Sequence, residues 1–485
     1  MQRRLSIERN LTLLTDFYEL TMSNGFLENR MENKIGVFDM FFRRVPDGGG
    51  FAIFAGLETL IDHLTHLKFT EDDIEYLRSK NLFCEEFLEY LRNFKFSCDI
   101  WSVREGTPVF PNEPLLIVRG PIVQAQLIET MVLLTINHPS MIATKASRIV
   151  RAAKGHKVYE FGSRRAQGFD GAILGARAAY IGGCHGTACA IADRDYGIPA
   201  VGTMAHSWVQ MFDTEYDAFS TYAGSYPDSC SLLVDTYNVI KSGVPNAIRV
   251  FDEVLKPQGK RPVSIRIDSG DIAYLSKKAR KLLDDAGYPD CKIMASNSLD
   301  EFIIRDLLMQ GAKLDIFGVG ENLITSKSAP VFGGVYKLVA LQNAQGEYVP
   351  KIKISETIEK ITNPGFKMLY RLYDNATGKA LADYITGHEE EVNDKEELVI
   401  FDPNATWKKQ RLVDFTAVPL LEKVIENGNV LIERRDLEEI RNYCAEQLET
   451  LWDEVKRFEN PHKYYVDLSP QMYEMKVGLL EKLNF

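Results

Sequence analysis

The sequence predicts an α/β protein organised around a mainly parallel β-sheet, either an open doubly wound sheet or a closed barrel. Three observations lead there. Between residues 121 and 345, short apolar runs alternate with loops and helix-period stretches, the pattern of repeated β-α units. The polar residues that interrupt this region fall just after the apolar runs, where both architectures bind their ligands. The chain has 485 residues, 45% hydrophobic and 26% charged, enough to bury a large core at ordinary soluble composition.

Taken in order, residues 1–120 read as an N-terminal α/β domain. "LLTDFYELTMSNGFLE" has helical spacing, and "KIGVFDMFFRR" reads as a strand. "FTEDDIEYLRSKNLFCEEFLEYLRNF" reads as two amphipathic helices, with Thr70 as N-cap of the first. "GTPVFPNEPLLIVRG" reads as strand, turn, strand, punctuated by prolines. Residues 121–345 carry the β-α series. "KVYEFG" precedes "GAILGARAAYIGG", and "IPAVGT" precedes "AHSWVQMF". "PVSIRID" precedes "DIAYLSKKARKLLDDAG", and "KIMASN" precedes "LDEFIIRDLLMQG". "LDIFGVG" and "GGVYKLVAL" close the series. Residues 346–485 form a C-terminal segment. It holds an acidic, solvated loop, "HEEEVNDKEE", and a long amphipathic helix, "RRDLEEIRNYCAEQLETLWDEVKRF".

Charge and cysteine usage narrow the class. A formal net charge of -11 argues against nucleic-acid binding, which needs a basic face. It also means that any anion site must be built locally from Arg, Lys and backbone N–H groups. Seven scattered cysteines fit a reducing compartment and no zinc site. The start, "MQRRLSIERN", has no apolar stretch after it, and "MVLLTI" is too short to span a bilayer. The expectation is a cytoplasmic protein without a membrane segment.

The polar residues after the apolar runs form the candidate site. They are Gly162, Ser163, Arg164 and Arg165; Thr203 and His206; Arg266, Asp268, Ser269 and Asp271; Ser296 and Asn297; and Gly320, Glu321 and Asn322. If the runs are neighbouring parallel strands, this set gathers at one rim. Arginines, carboxylates, small residues and one imidazole equip such a rim for phosphates and a divalent metal. Singly the signals are ambiguous. "RIDSGD" equally suits a strand end whose Asp268 or Ser269 caps the next helix. "FGVGENL" lacks the third glycine of a dinucleotide fingerprint, and there is neither a P-loop nor an H-E-x-x-H. "LLVDTYN" has one acid, not an adjacent acidic pair.

At these residues the sequence resembles the nicotinate phosphoribosyltransferases, of the type II phosphoribosyltransferase family. The resemblance rests on "LLTDFYELTM" (13–22), "EFGSRRAQGFDGA" (160–172), "GTMAHSW" (202–208), "IRIDSGD" (265–271) and "VFGGVYKLV" (331–339). It implies an irregular α/β barrel core with an N-terminal α/β domain and a C-terminal segment packing against it. It also implies a reaction. Nicotinate and phosphoribosyl pyrophosphate (PRPP) give nicotinate mononucleotide and pyrophosphate, coupled to ATP hydrolysis, with Mg2+ as cofactor. The implied assembly is a homodimer with a shared active site.

The resemblance carries roles to single residues. His206 matches a phosphorylated histidine, a role suited to a neutral, nucleophilic imidazole. Tyr18, from a second subunit, and Phe161 match the plates that sandwich the pyridine ring. Arg266 matches an arginine beside ring and PRPP, Arg164 is a second cation for carboxylate or phosphate, and Thr203 offers a hydroxyl or N–H to nicotinate. Asp268 and Asp271 are candidates to bind ribose or position magnesium. Ser296, Asn297, Gly320, Glu321 (through its backbone) and Thr325 are assigned to the phosphates of PRPP. Relatives that prefer nicotinamide carry an acid after a Gly-Thr, where this chain has Ala188 after Gly186 and Thr187; alanine leaves no negative charge beside the ligand, which suits a carboxylate. Three other readings are weaker. Quinolinate would want more cations and no phosphorylatable histidine; nicotinamide would want the acid; and a non-catalytic sensor has no use for His206.

Overall fold

A computed structural model describes residues 9–357 and 360–482. The first eight residues, on which the leader reading began, lie outside them. The chain forms two compact units. The residues up to Thr144 and those from Val331 onward make one, and Lys145–Pro330 make the other. The anticipated limits were 120 and 345. The divisions fall instead within the helix Glu129–Ala152 and just ahead of the strand Gly334–Gln342.

The first unit is built on a seven-stranded sheet. Within it the strand Ile35–Phe42 is flanked by Gly334–Gln342 and Leu116–Pro121, both antiparallel to it. Phe38 opposes Leu338 and Met40 opposes Tyr336 in register, and the rings of Phe38 and Tyr336 stack at 4.8 Å. The run "GGVYKLVAL" therefore does not close the β-α series. It is a true strand whose apolar residues are satisfied within this first unit. The C-terminal segment packs onto the N-terminal part, as the resemblance implied. Glu422–Glu426 pairs with Asp99–Ser102. The buried Arg371, paired with Asp383 at 2.6 Å, donates to the carbonyl of Pro108, and Tyr464 stacks on Phe110 at 3.8 Å. The two anticipated helices are Glu71–Ser79, with a Thr70–Asp73 capping box, and Glu85–Arg92. The long C-terminal helix is shorter than its periodicity suggests, Leu437–Thr450, because Leu451 turns to extended backbone.

The second unit carries the β-α series. Its strands are β1 (Lys157–Glu160), β2 (Ser231–Leu233), β3 (Ser264–Ile267), β4 (Lys292–Ala295) and β5 (Ile316–Val319). All are parallel, in the order β1-β5-β4-β3-β2. Parallel bridges from Glu160 to Thr187 and from Thr187 to Ala200 extend the sheet past β1. Ile265, Ile267, Ile293, Ala295, Phe317 and Val319 are fully buried, as expected of parallel strands covered on both faces. Two expectations are corrected here. "IPAVGT" makes a single bridge rather than a strand, and the helix after it is one short stretch, His206–Gln210. β2 belongs to no anticipated strand.

Candidate active site

Because the strands run parallel, the residues that follow them share one rim. His206 begins its short helix with its side chain 42% exposed, so it is not a core histidine. Its Nδ1 lies 3.1 Å from the hydroxyl of Thr236, and its Nε2 lies 3.8 Å from Asp268 Oδ2. Asp268 is in turn held by its neighbours. Its backbone N–H donates to Asp235 Oδ2 at 3.1 Å, the Ser269 hydroxyl donates to the same oxygen at 2.5 Å, and the Ser296 hydroxyl donates to Asp268 Oδ1. Asp235 is buried, and its Oδ1 has no hydrogen-bond partner among the described residues. Such an atom is costly unless a ligand or ion completes it. Asp235 and Thr236 follow β2, the strand that sequence reading missed. Its signal was "LLVDT", an apolar run and then polar residues, as after every other strand.

Arg266 sits on β3 with its guanidinium largely buried. Its Nη2 donates to the Met204 carbonyl at 2.9 Å, and its Nε has no partner among the described residues. Burial weakens its hold on its proton, while Asp268 and Asp235 act in the opposite sense. The Met204 contact ties β3 to the loop that carries Thr203 and His206. Thr203 is half-buried at the start of that loop.

Phe161 directly follows β1. Its N–H donates to the Val319 carbonyl at 2.7 Å, and its ring lies across Gly318, where a Cβ would stand 2.5 Å from the ring. Only glycine admits that approach. Glu160, just before it, is fully buried. It accepts from the Gly162 N–H and, at 2.6 Å, from the Thr187 hydroxyl. Burial raises the pKa of this carboxyl above the ordinary range, against the lowering effect of those donors. Glu160 thus pins the Phe161 turn to the segment bearing Thr187 and the exposed Ala188. Nothing in the sequence pattern distinguished Glu160 from a strand-end charge.

Arg164 is exposed in the single turn Ser163–Arg165. Gly320 passes so close to Phe161 that a Cβ would lie 3.2 Å from its carbonyl oxygen. The Glu321 carboxylate is held by Lys327 at 2.7 Å and lies 3.8 Å from Arg165, and the lysine lowers its pKa. Thr325 commits its hydroxyl to the Glu321 carbonyl at 2.8 Å. Asp271 has a structural role. It caps the helix Ile272–Asp285, accepting from the Tyr274 N–H at 2.9 Å. The cap is therefore Asp271, not Asp268 or Ser269, which frees Asp268 for the rim. Among the described residues no group of three or more His, Cys, Asp and Glu side chains is arranged to hold a metal ion. Tyr18 lies in the first unit, 45% exposed on the helix Phe17–Glu28. Burial, followed by Glu129, strengthens its hold on its phenolic proton.

Tight glycine turns that follow parallel strands, without a P-loop, present backbone N–H groups to an anion, and this rim is built in that way. Comparison with known proteins narrows the reading. Models of the nicotinate phosphoribosyltransferase N-terminal domain, family core and C-terminal domain match residues 13–137, 156–388 and 366–476. The nicotinate phosphoribosyltransferase of Bacillus subtilis is 43% identical over 477 residues, covering 98% of this chain and 96% of the relative. One from Mycobacterium tuberculosis is 37% identical over 476 residues, covering 97% and 94%. The crystal structure of human nicotinic acid phosphoribosyltransferase superposes with a TM-score of 0.83 at 28% identity, covering 97% of this chain and 99% of that one. The chain belongs to the nicotinate phosphoribosyltransferase family. Among the described residues no helix is long and apolar enough to cross a membrane.

Proposed function

We propose that the chain joins nicotinate to the ribosyl carbon of PRPP, releasing pyrophosphate and forming nicotinate mononucleotide for NAD synthesis, and that ATP hydrolysis is coupled to this step through His206. The observation that carries the reading is the accessible imidazole of His206, set between the Thr236 hydroxyl and the Asp268 carboxylate on the rim that also holds Phe161 and Arg266. Phe161 offers one face to the pyridine ring. Arg266, with an Nε that lacks a protein partner, offers charge to the nicotinate carboxylate or to PRPP, as does Arg164. Thr203 offers a hydroxyl to nicotinate. The turns at Ser296–Asn297 and Gly320–Glu321 take the 5′-phosphate through backbone N–H groups.

At the anomeric carbon the bond to pyrophosphate breaks as the pyridine nitrogen's lone pair forms the new C–N bond. The protein contributes positioning and charge. In the coupling step an imidazole nitrogen attacks the terminal phosphoryl group of ATP, ADP leaves, and the N–P bond is later broken by water. Asp268 stands next to the imidazolium-like charge that develops. The carboxylates that fit magnesium are Asp235, through its buried and unpartnered Oδ1, and Asp268, with substrate phosphates completing the shell. Magnesium would supply charge neutralisation at the leaving pyrophosphate. Asp271, committed to its helix, is the weaker candidate.

The homodimer belongs to the same proposal, with Tyr18 of a second copy closing the ring site. Leu14, Phe17, Tyr18 and Met22, 41–45% exposed along one stretch, support it as a surface to be covered. None of the seven cysteines is part of a disulfide among the described residues, which supports a reducing, cytoplasmic setting. The test is turnover of nicotinate with PRPP, measured with and without ATP. Product in both cases, with a higher product-to-substrate ratio and ATP consumption in the first, is the expected result. No product from nicotinate removes the reading, and product formation indifferent to ATP removes the coupling.

A further inference from the structure

Two residues on the phosphate side of the rim hold left-handed backbone without being glycine. Asn297 has φ +83° and Ser298 has φ +51°. Such strain persists only where the surroundings over-determine it, and it gathers at ligand clamps. Here the restraint is the side chain of Asn322. Its Nδ2 donates to the Ser298 carbonyl at 3.0 Å and to the Leu299 carbonyl at 3.2 Å.

Asn322 lies in the short helix Glu321–Ile324, directly after Gly320. One phosphate turn is therefore tied to the other by a single amide. With its carbonyls drawn toward Asn322, the turn leaves the backbone N–H groups of Asn297, Ser298 and Leu299 without an acceptor among the described residues. Successive unpaired N–H groups make an anion-binding concavity. The turn is anchored independently on its far side. Leu299 is buried, and Asp300 caps the helix Glu301–Met309 by accepting from the N–H groups of Phe302 and Ile303 at 3.0 and 2.8 Å. The Asn322 bonds are not needed to start that helix. They act on the ligand side.

We propose that Asn322 is a positioning residue for PRPP. It holds the 297–299 turn against the Gly320 turn, so that their N–H groups converge on one phosphate before substrate arrives. This rests on the reading of PRPP as substrate. Both donor bonds of Asn322 go to protein carbonyls, so it acts through the turn and not by touching the phosphate.

The test uses two variants of the full chain. Asn322→Asp keeps the shape, removes both donors and adds a negative charge. Asn322→Ala removes the donors without the charge. For Asn322→Ala the expected result is a roughly tenfold rise in KM for PRPP, equivalent to about 1.4 kcal/mol, with kcat and KM for nicotinate within about twofold. Asn322→Asp should raise KM for PRPP further. Hydrogen exchange at residues 297–299 should be slowed by PRPP in the wild type and much less in either variant. KM for PRPP unchanged in both folded variants overturns the proposal. So does an equal rise in KM for nicotinate, which would mark general loosening. A wild-type protein that shows no saturation by PRPP instead removes the underlying reading of the substrate.

Discussion

Gly318→Ala tests the ring site without touching a group assigned to substrate. The added Cβ would stand 2.5 and 2.6 Å from two carbons of the Phe161 ring. Carbon atoms in contact prefer about 3.5–4.0 Å, so the ring must retreat by roughly 1 Å. The backbone of Phe161 cannot follow freely, since its N–H is bonded to the Val319 carbonyl at 2.7 Å. Overpacking of this kind costs about 1–3 kcal/mol of stability. A stacked plate contributes about 0.5–1.5 kcal/mol beyond burial. Losing most of it raises KM for nicotinate about three- to tenfold, at 1.4 kcal/mol per factor of ten. Misplacing the ring by about 1 Å can also lower kcat. The assay is steady-state kinetics with nicotinate and PRPP varied separately, together with thermal melting. KM for PRPP should stay near the wild-type value. Phe161→Ala provides the control, because in that background Gly318→Ala should cost little stability. A folded Gly318→Ala protein with wild-type melting and unchanged KM for nicotinate would refute the reasoning. So would an equal stability cost with and without the Phe161 ring.

Three further outcomes follow from the same geometry. His206→Ala should abolish nicotinate-dependent ATP hydrolysis while leaving slow, uncoupled transfer from PRPP, and ATP should label the wild type with an acid-labile, base-stable phosphate; full coupling in the variant discards the role of His206. Ala188→Asp should lower kcat/KM for nicotinate and admit some nicotinamide, since desolvated like charges a few ångströms apart repel by on the order of several kcal/mol; the ratio of kcat/KM for the two substrates, with a melting check, decides it. Glu19 bears on stability. It is fully buried, accepts from Thr130 and Thr15, and burial pushes its carboxyl up from 4.5 to about 7. A carboxyl raised on folding favours the folded state most below its unfolded value, and that contribution is lost as pH rises through 7. Relative to Glu19→Gln, the wild type should therefore lose up to about 3 kcal/mol between pH 4.5 and 7.5, at about 1.36 kcal/mol per unit; parallel urea-stability curves would contradict this.

How much of this was legible in the sequence depended on the kind of force responsible. β1, β3, β4 and β5 stood out because strands buried on both faces must be apolar throughout. β2 did not, because three residues between Cys230 and Val234 make too short a run to register, so Asp235 was read only as a lone acid and Thr236 was passed over. Gly334–Gln342 was recognised as a strand but assigned to the wrong sheet, because periodicity reports burial and not partner. The helix Leu437–Thr450 keeps its sequence period past Thr450 yet stops there. The Trp452 indole donates to the Ala380 carbonyl at 3.0 Å, and tertiary packing won over local propensity. "RIDSGD" offered Asp268 or Ser269 as the cap on paper, and only the backbone path singled out Asp271. The buried Glu160 was unreadable, since its function lies in hydrogen bonds to Gly162 and Thr187 that no spacing encodes.

The division of the chain also governs the order in which it can be made. Lys145–Pro330 is continuous, and its strands find their partners within the segment itself. The sheet of the other unit is different, because Phe42 pairs with Gly334. At about 5–20 residues per second of synthesis, the edge of Ile35–Phe42 that will receive that strand stays open for roughly 15–60 seconds after it leaves the ribosome. It reads IGVFDMFF, an apolar β-forming run of the type that templates aggregation. A chain truncated at Pro330 keeps that edge exposed indefinitely. Slow translation through 145–330 therefore lengthens the interval of risk for a strand that has already been made.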